Sequence, residues 1–336
     1  MALEHILDQL LDDDLECDPV TVNGLTNHLP MVLIALDRLD VTDRHLSDWA
    51  DRYRNRLMPR RTASEPIAPD DLPAVLGTGR RYADLLLCFQ REIDRSGVDD
   101  VLDRHLTGLL DGMGGAAFHG VIRLAYSVEH GRPIDIAAGL AYLADSFQPV
   151  LLAPDVPTTG RTADPAEVLV VLAEHPDLHD RSFDVSGFSR QFAEVARDPA
   201  FLRIAARLET DGDTLARVAL IAHTLYRSTS NFFALHTMTA THATRIVTDR
   251  LSSPDDRHRA AGSLARAVAA AYVVIGAPTL DDPLPATDLP GWDAIESAAG
   301  CHRDEHAIKL AYTCREEQVR WGDPRYRATA ATVVGV

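Results

Sequence analysis

Leu29-Pro30-Met31-Val32-Leu33-Ile34-Ala35-Leu36-Asp37-Arg38-Leu39 sets its large apolar side chains, Met31, Leu33, Ile34, Leu36 and Leu39, at helical rather than alternating steps. That is the period of one face of an α-helix. Working outward, the same spacing recurs and strict alternation is scarce. The pattern predicts helices near residues 4–14, 27–39, 42–57, 71–95, 98–111, 114–129, 134–147, 166–174, 188–197, 200–208, 212–225, 229–251, 257–275 and 304–320. Thr42 before Asp43, and Ser252-Ser253-Pro254-Asp255-Asp256 before an alanine-rich run, place side-chain oxygens where helix amides need acceptors. Proline-rich or polar connections fall at 58–73, 153–166 and 277–291, the last holding Pro278, Pro283, Pro285 and Pro290. With no fixed-period repeat, low-complexity tract or shift in composition, residues 1–336 read as one all-α, bundle-like domain.

At 336 residues and 46% hydrophobic, the chain can bury a core large enough to enclose a site. A formal net charge of −17 argues against nucleic acid and anionic membranes as partners, because both are polyanions. Cys17, Cys88, Cys301 and Cys314 are scattered without a CxxC pair, which suits reduced thiols better than a disulfide framework or a zinc knuckle. The N-terminus carries no basic segment followed by an apolar one, and no stretch approaches a membrane span of roughly 20 residues. The expectation is a soluble, cytoplasmic protein.

Among the 33 basic residues only one is a lysine, Lys309 in Asp304-Glu305-His306-Ala307-Ile308-Lys309. Where charge alone suffices this chain uses arginine, whose guanidinium does not lose its proton. An amine in a desolvated pocket can attack a carbonyl, act as a base, or take up carbon dioxide to form a carbamate. On a helix, His306 and Lys309 emerge from one face at i, i+3. A solvated lysine left over from arginine-rich codon usage is the plainer alternative.

The histidines divide by context. His5, His45, His105, His130, His175, His179, His258 and His302 mostly stand among charges or at element ends, where solvation or capping accounts for them. His28 in Thr26-Asn27-His28-Leu29, His119 in Gly114-Gly115-Ala116-Ala117-Phe118-His119-Gly120, His236 in Phe232-Phe233-Ala234-Leu235-His236-Thr237, and His306 sit in small or apolar surroundings. A buried imidazole needs a hydrogen-bond or metal partner, and helices that each donate one inward side chain can build a metal site in a bundle. Core histidines satisfied by hydrogen bonds are the alternative. His242 is a reserve ligand, since six residues of helix rotate it by roughly 240° from His236.

Other patterns fail. There is no HExxH and no repeated ExxH pair. His302-Arg303-Asp304 matches half of a two-histidine, one-carboxylate triad that belongs to β-rich barrels. His179-Asp180 suggests the dyad of helical phosphohydrolases without its other members. Gly77-Thr78-Gly79 and Gly112-Met113-Gly114-Gly115 lack the strand and lysine of nucleotide-binding loops.

Thr26-Asn27-His28, Phe118-His119-Gly120, Phe233-Ala234-Leu235-His236-Thr237-Met238-Thr239 and His306-Ala307-Ile308-Lys309 together resemble the questin oxidase-like family, over nearly the whole chain. The resemblance implies an oxygenase that opens rings of aromatic, anthraquinone-type polyketides, by oxygen insertion beside a ring carbonyl and carbon–carbon cleavage. It also implies a non-haem Fe(II) site with dioxygen as co-substrate, buried between helices. The implied ligands are His28, His119, His236, His306 and a carbamylated Lys309. Phe118, Tyr126, Phe232, Phe233 and Met238 would lie near them, stacking on a flat substrate or packing the core. Asn27 would orient a ligand or cap a helix.

Three competing classes fit the same residues. One is an NADPH-linked Baeyer-Villiger-type monooxygenase without bound iron, against which the missing nucleotide fingerprint counts. The others are a Lys309 Schiff-base enzyme and a helical protein that binds a polyketide without changing it.

Overall fold

The structure is a computed structural model that describes residues 5–152, 160–281 and 288–336. Parts of two expected connections, 153–159 with its prolines and 282–287 with Pro283 and Pro285, lie outside the described residues, as does residue 4 of the first expected helix.

Seventeen α-helices make up the described fold, and β-pairing is limited to isolated bridges such as that of Cys17 with Pro59. In order they are α1 (Ile6–Leu15), α2 (Leu29–Arg38), α3 (Asp43–Tyr53), α4 (Leu72–Val75), α5 (Tyr82–Ser96), α6 (Val98–Leu110), α7 (His119–His130), α8 (Pro133–Asp145) and α9 (Pro165–Glu174). There follow α10 (Phe188–Val195), α11 (Pro199–Ala205), α12 (Thr214–Thr229), α13 (Phe232–Thr248), α14 (Pro254–Val274), α15 (Trp292–Cys301), α16 (Glu305–Trp321) and α17 (Arg325–Val334). The all-α expectation holds. Capping follows the chemistry read from the sequence: Thr42 accepts from the His45 amide and Ser253 from the Asp256 amide.

Three differences have physical causes. The helix expected over 71–95 is broken, because Gly77 and Gly79 adopt φ of +70° and +67°, outside the right-handed region. The Gly77 amide instead donates to Ala144 O at 2.9 Å, and a Cβ on Gly77 would fall 2.4 Å from Phe147 O. Helices α15 and α17 were not expected. Their buried faces hold few large apolar residues, Ile295 beside Ala299 and Gly300 in one, and Tyr326 and Val334 beside Ala328, Thr329, Ala330 and Ala331 in the other. Such faces give little hydropathy contrast.

Four helices form a closed ring: α2 packs on α7, α7 on α13, α13 on α16, and α16 back on α2. Alanine-rich α14 supports this ring through α12 and α13, while α8 packs along α7. Gly120 and Gly139 permit the second contact, since a Cβ on either would fall within 2.8 Å of a backbone Cα of the facing helix. No described helix is long and apolar enough to cross a membrane.

Candidate metal centre

The ring helices bring their N-terminal ends to one place. His28 caps α2, His119 is the first residue of α7, His236 lies in the first turns of α13, and His306 and Lys309 lie in those of α16. Their rings are in contact: centroids are 4.6 Å apart for His28 and His119, 4.6 Å for His28 and His306, 4.7 Å for His119 and His236, and 5.3 Å for His236 and His306. Nitrogens of His28, His119 and His306 all lie within 4.8 Å of one another, close enough to share one metal ion. His236 flanks this triad, and Lys309 Nζ sits 3.3 Å from His28 Nδ1.

Hydrogen bonding fixes three of the imidazoles. His119 Nδ1 lies 2.5 Å from Ala116 O and His236 Nδ1 lies 2.7 Å from Phe232 O. A carbonyl only accepts, so each Nδ1 carries the proton and each Nε2 keeps its lone pair. His306 Nδ1 faces the Asp304 carboxylate at 3.2 Å in the same sense. The Nε2 atoms of His119, His236 and His306 are buried without a hydrogen-bond partner. Orphaned acceptors of this kind are costly unless something binds them, and a metal ligand oriented through its other ring nitrogen has this arrangement. The residues present therefore fit a metal ion bound by imidazole.

Electrostatics favour neutral ligands. Burial holds His28 and His119 well below the usual imidazole range and lowers His236 to about 3 and His306 to about 4, with Lys309 adding to each shift. Burial also pushes Lys309 down to about 7, against a small pull from Glu305 and Asp304. The positive ends of four helix dipoles act in the same direction, disfavouring ammonium and favouring an anionic oxygen donor.

His119 is presented by an unusual turn. Ala116, Ala117 and Phe118 have successive φ values of +47°, +52° and +69°, a left-handed run without glycine that costs roughly 1–2 kcal/mol per residue. Gly114 and Gly115 make room for it. A Cβ on Gly114 would meet the Phe192 ring at 2.2 Å, and one on Gly115 would meet Ser146 O at 1.5 Å. Strain of this kind persists where surroundings hold it and marks functional sites.

Nearby residues divide by role. Asn27 Nδ2 donates to Asp14 at 2.7 Å and its Oδ1 accepts from the Leu29 amide, so its hydrogen bonds anchor the start of α2. Asp14 in turn pairs with Arg123 of α7 at 3.0 Å. Phe118 packs on Phe188 and Phe192, Tyr126 packs on Tyr312, and Met238 is core. Phe233 stacks on Phe188. Phe232 differs from these: it is 52% exposed, and its ring lies 4.7 Å from both His236 and His306. His242 lies elsewhere, with Nδ1 2.7 Å from Glu317. His179 and Asp180 are exposed.

Sequence reasoning placed Phe232 near the ligands without separating it from the other aromatics, and it did not find the left-handed turn or the Asp304 carboxylate that orients His306. Only the last had a signal, an aspartate two residues before a histidine at a helix start. His223, stacked at 3.9 Å on Tyr326 and bonded to Thr329, was likewise unassigned.

Comparison with curated proteins gives no match. Residues 25–314 match the family model for questin oxidase-like proteins, a span that includes all four clustered histidines and Lys309, and the chain belongs to that family.

Proposed function

We propose that this protein is a non-haem iron oxygenase acting on an aromatic, anthraquinone-type polyketide and cleaving a ring carbon–carbon bond, with the whole chain working as one domain. Family membership supports an oxygenase acting on a polyketide. The observation that carries the metal reading is the meeting of four imidazoles and the sole lysine at four helix N-termini, three of them with buried, unpartnered Nε2 atoms.

In this reading His28, His119, His236 and His306 supply nitrogen donors and Lys309, as a carbamate, supplies an anionic oxygen. Iron bound there would supply the redox chemistry with dioxygen. The chain's own residues do the rest. Ala116 O, Phe232 O and Asp304 hold the ring protons on Nδ1 and aim each Nε2 inward. Burial lowers Lys309 to about 7, so near neutral pH a large share of it is the neutral amine, whose nitrogen can bond to the carbon of CO2 and release a proton to solvent. Phe232 shields the cluster from water and gives a flat substrate an aromatic edge to pack against.

Iron content of anaerobically purified protein, with oxygen uptake on anthraquinones and their hydroquinones, tests the proposal. Near-stoichiometric iron that disappears in His306→Ala and Lys309→Arg, with quinone-dependent uptake, is expected. No iron after Fe(II) reconstitution would overturn it. The buried Lys309 amine, in no ion pair among the described residues and 3.3 Å from His28 Nδ1, also favours a second reading, a Schiff-base enzyme. Borohydride trapping of a carbonyl substrate on Lys309 would replace the first reading by this one.

A further inference from the structure

Three of the four clustered imidazoles are held by an oxygen on the ring: Ala116 O for His119, Phe232 O for His236 and the Asp304 carboxylate for His306. No oxygen holds the His28 ring in this way among the described residues. Its Nδ1 faces Lys309 Nζ at 3.3 Å, an amine on a flexible alkyl stem. His28 is fixed instead through the backbone on either side of its ring. Its own amide donates to the Tyr53 hydroxyl of α3 at 2.9 Å, and the buried Asn27 side chain accepts from the Leu29 amide at 3.0 Å.

Asn27 is itself held by Asp14, a residue of α1 that lies outside the four-helix ring and is 2% exposed. The two carboxylate oxygens of Asp14 are divided between two ring helices. Oδ1 accepts from Asn27 Nδ2 at 2.7 Å, at the start of α2, and Oδ2 accepts from Arg123 Nη2 at 3.0 Å, one turn beyond His119 on α7. Arg123 is buried and forms no other ion pair among the described residues. At the opposite end of the same helix pair, Arg38 of α2 donates to Glu129 O of α7 at 2.6 Å. The pair is therefore bridged at both ends, and Asp14 is the bridge at the histidine end. A buried ion pair adds little net stability over apolar residues of the same volume, but its charge-assisted bonds fix direction and distance.

We infer that Asp14 is a positioning residue for the metal centre: by holding Asn27 and Arg123 on one carboxylate, it sets the His28 ring against the His119 ring, whose centroids are 4.6 Å apart. It acts through Asn27 on one side and through α7 on the other. The inference rests on the metal reading for its purpose, whereas the ring spacing it concerns exists without metal.

The full chain, isotopically labelled at histidine, is read metal-free by the ring-to-ring NOE between His28 and His119. It is then titrated anaerobically with Co(II), whose visible d–d absorption reports ligand number and geometry. Asn27→Ser keeps an oxygen for the Leu29 amide and leaves the Asp14–Arg123 pair whole, cutting only the link between Asp14 and the start of α2. Asp14→Asn keeps an acceptor for Asn27 and removes the charge facing Arg123. Each is expected to weaken the NOE, to lower Co(II) affinity about 10–100-fold and to shift the d–d bands. Glu92→Gln is the control, because Glu92 is as buried as Asp14 and pairs with Arg104 at 2.7 Å, but lies on α5 outside the ring. It is expected to lower Tm and to leave the NOE, the affinity and the bands unchanged. Where Asp14→Asn folds poorly, Asn27→Ser carries the test. An unchanged NOE and affinity in Asn27→Ser, or the same losses in Glu92→Gln, overturns the inference. Failure of the wild type to bind Co(II) overturns the metal reading instead, and the metal-free NOE still decides the spacing.

Discussion

Lys309 Nζ lies 3.3 Å from His28 Nδ1 across the α2–α16 contact, at 1% exposure and in no ion pair among the described residues. Four helix N-termini surround it, so an ammonium there meets repulsion and little solvent. A neutral amine removes that conflict, and a carbamate reverses it by offering negative charge to the helix ends. Arginine can do neither, which gives the one lysine of the chain a physical reason to be where it is.

Protein reconstituted with iron and 13C-labelled bicarbonate is expected to carry one labelled carbonyl carbon per chain, read as a carbamate resonance after exchange to a diamagnetic metal. Lys309→Arg, whose guanidinium stays protonated and cannot take up CO2, loses both the label and the metal. Lys309→Ala weakens metal binding by at least about 10–100-fold, and added formate restores part of it. Iron bound at full stoichiometry without the label would sink the carbamate while leaving the histidines in place.

The left-handed turn before His119 sets stability against site geometry. Ala117→Gly relieves roughly 1–2 kcal/mol of backbone strain and gives back about 0.4–1 kcal/mol through the freer unfolded chain. The net expectation is a gain of about 0.5 kcal/mol with weaker metal retention, because His119 is less firmly placed. Ala117→Val, which cannot take φ of +52° comfortably, destabilises. Urea unfolding and metal content on the same samples read both effects. A loss of stability in the glycine variant would mean the turn is not strained.

Much of this was legible in the chain. Helical periodicity gave the all-α class, and small or apolar neighbours picked out His28, His119, His236 and His306, which the fold brings together. His306 rather than His242 joins them because α16 delivers it beside Lys309, while the rotation along α13 turns His242 toward Glu317. What escaped notice depends on conformation rather than composition. Nothing in Ala116-Ala117-Phe118 announces positive φ, since alanine and phenylalanine rarely adopt it. Phe232 and Phe233 are alike as residues, and only the start of α13 sets one over the histidines and the other on Phe188.

Phe232 covers His236 and His306 while half exposed. Its truncation therefore alters access more than stability. Phe232→Ala is expected to lower stability by no more than about 1 kcal/mol, while removal of the metal by a chelator becomes several-fold faster. Phe232→Leu falls between the two. A chelation rate unchanged in both variants would show that the ring does not limit access.

Glu317 makes the acid response of the fold predictable. Burial alone would raise its pKa, but the hydrogen bond and charge of His242, the Arg245 guanidinium at 2.8 Å and the Trp321 indole hold it at about 2, below the ordinary 4.5. A carboxylate depressed in the folded state contributes stability fully above its unfolded pKa, here about 3 kcal/mol. That contribution is lost as the pH falls from 4.5 toward 2. Glu317→Gln is expected to be less stable at pH 7 by roughly 3–5 kcal/mol, since it leaves Arg245 buried against a neutral partner. The variant should also lose less further stability between pH 5 and pH 3 than the wild type does. His242→Ala, which leaves Arg245 and Trp321 on the carboxylate, is milder and retains iron, whereas His306→Ala loses it. Iron loss in His242→Ala without unfolding would move His242 into the metal site and remove His306 from the ligand set.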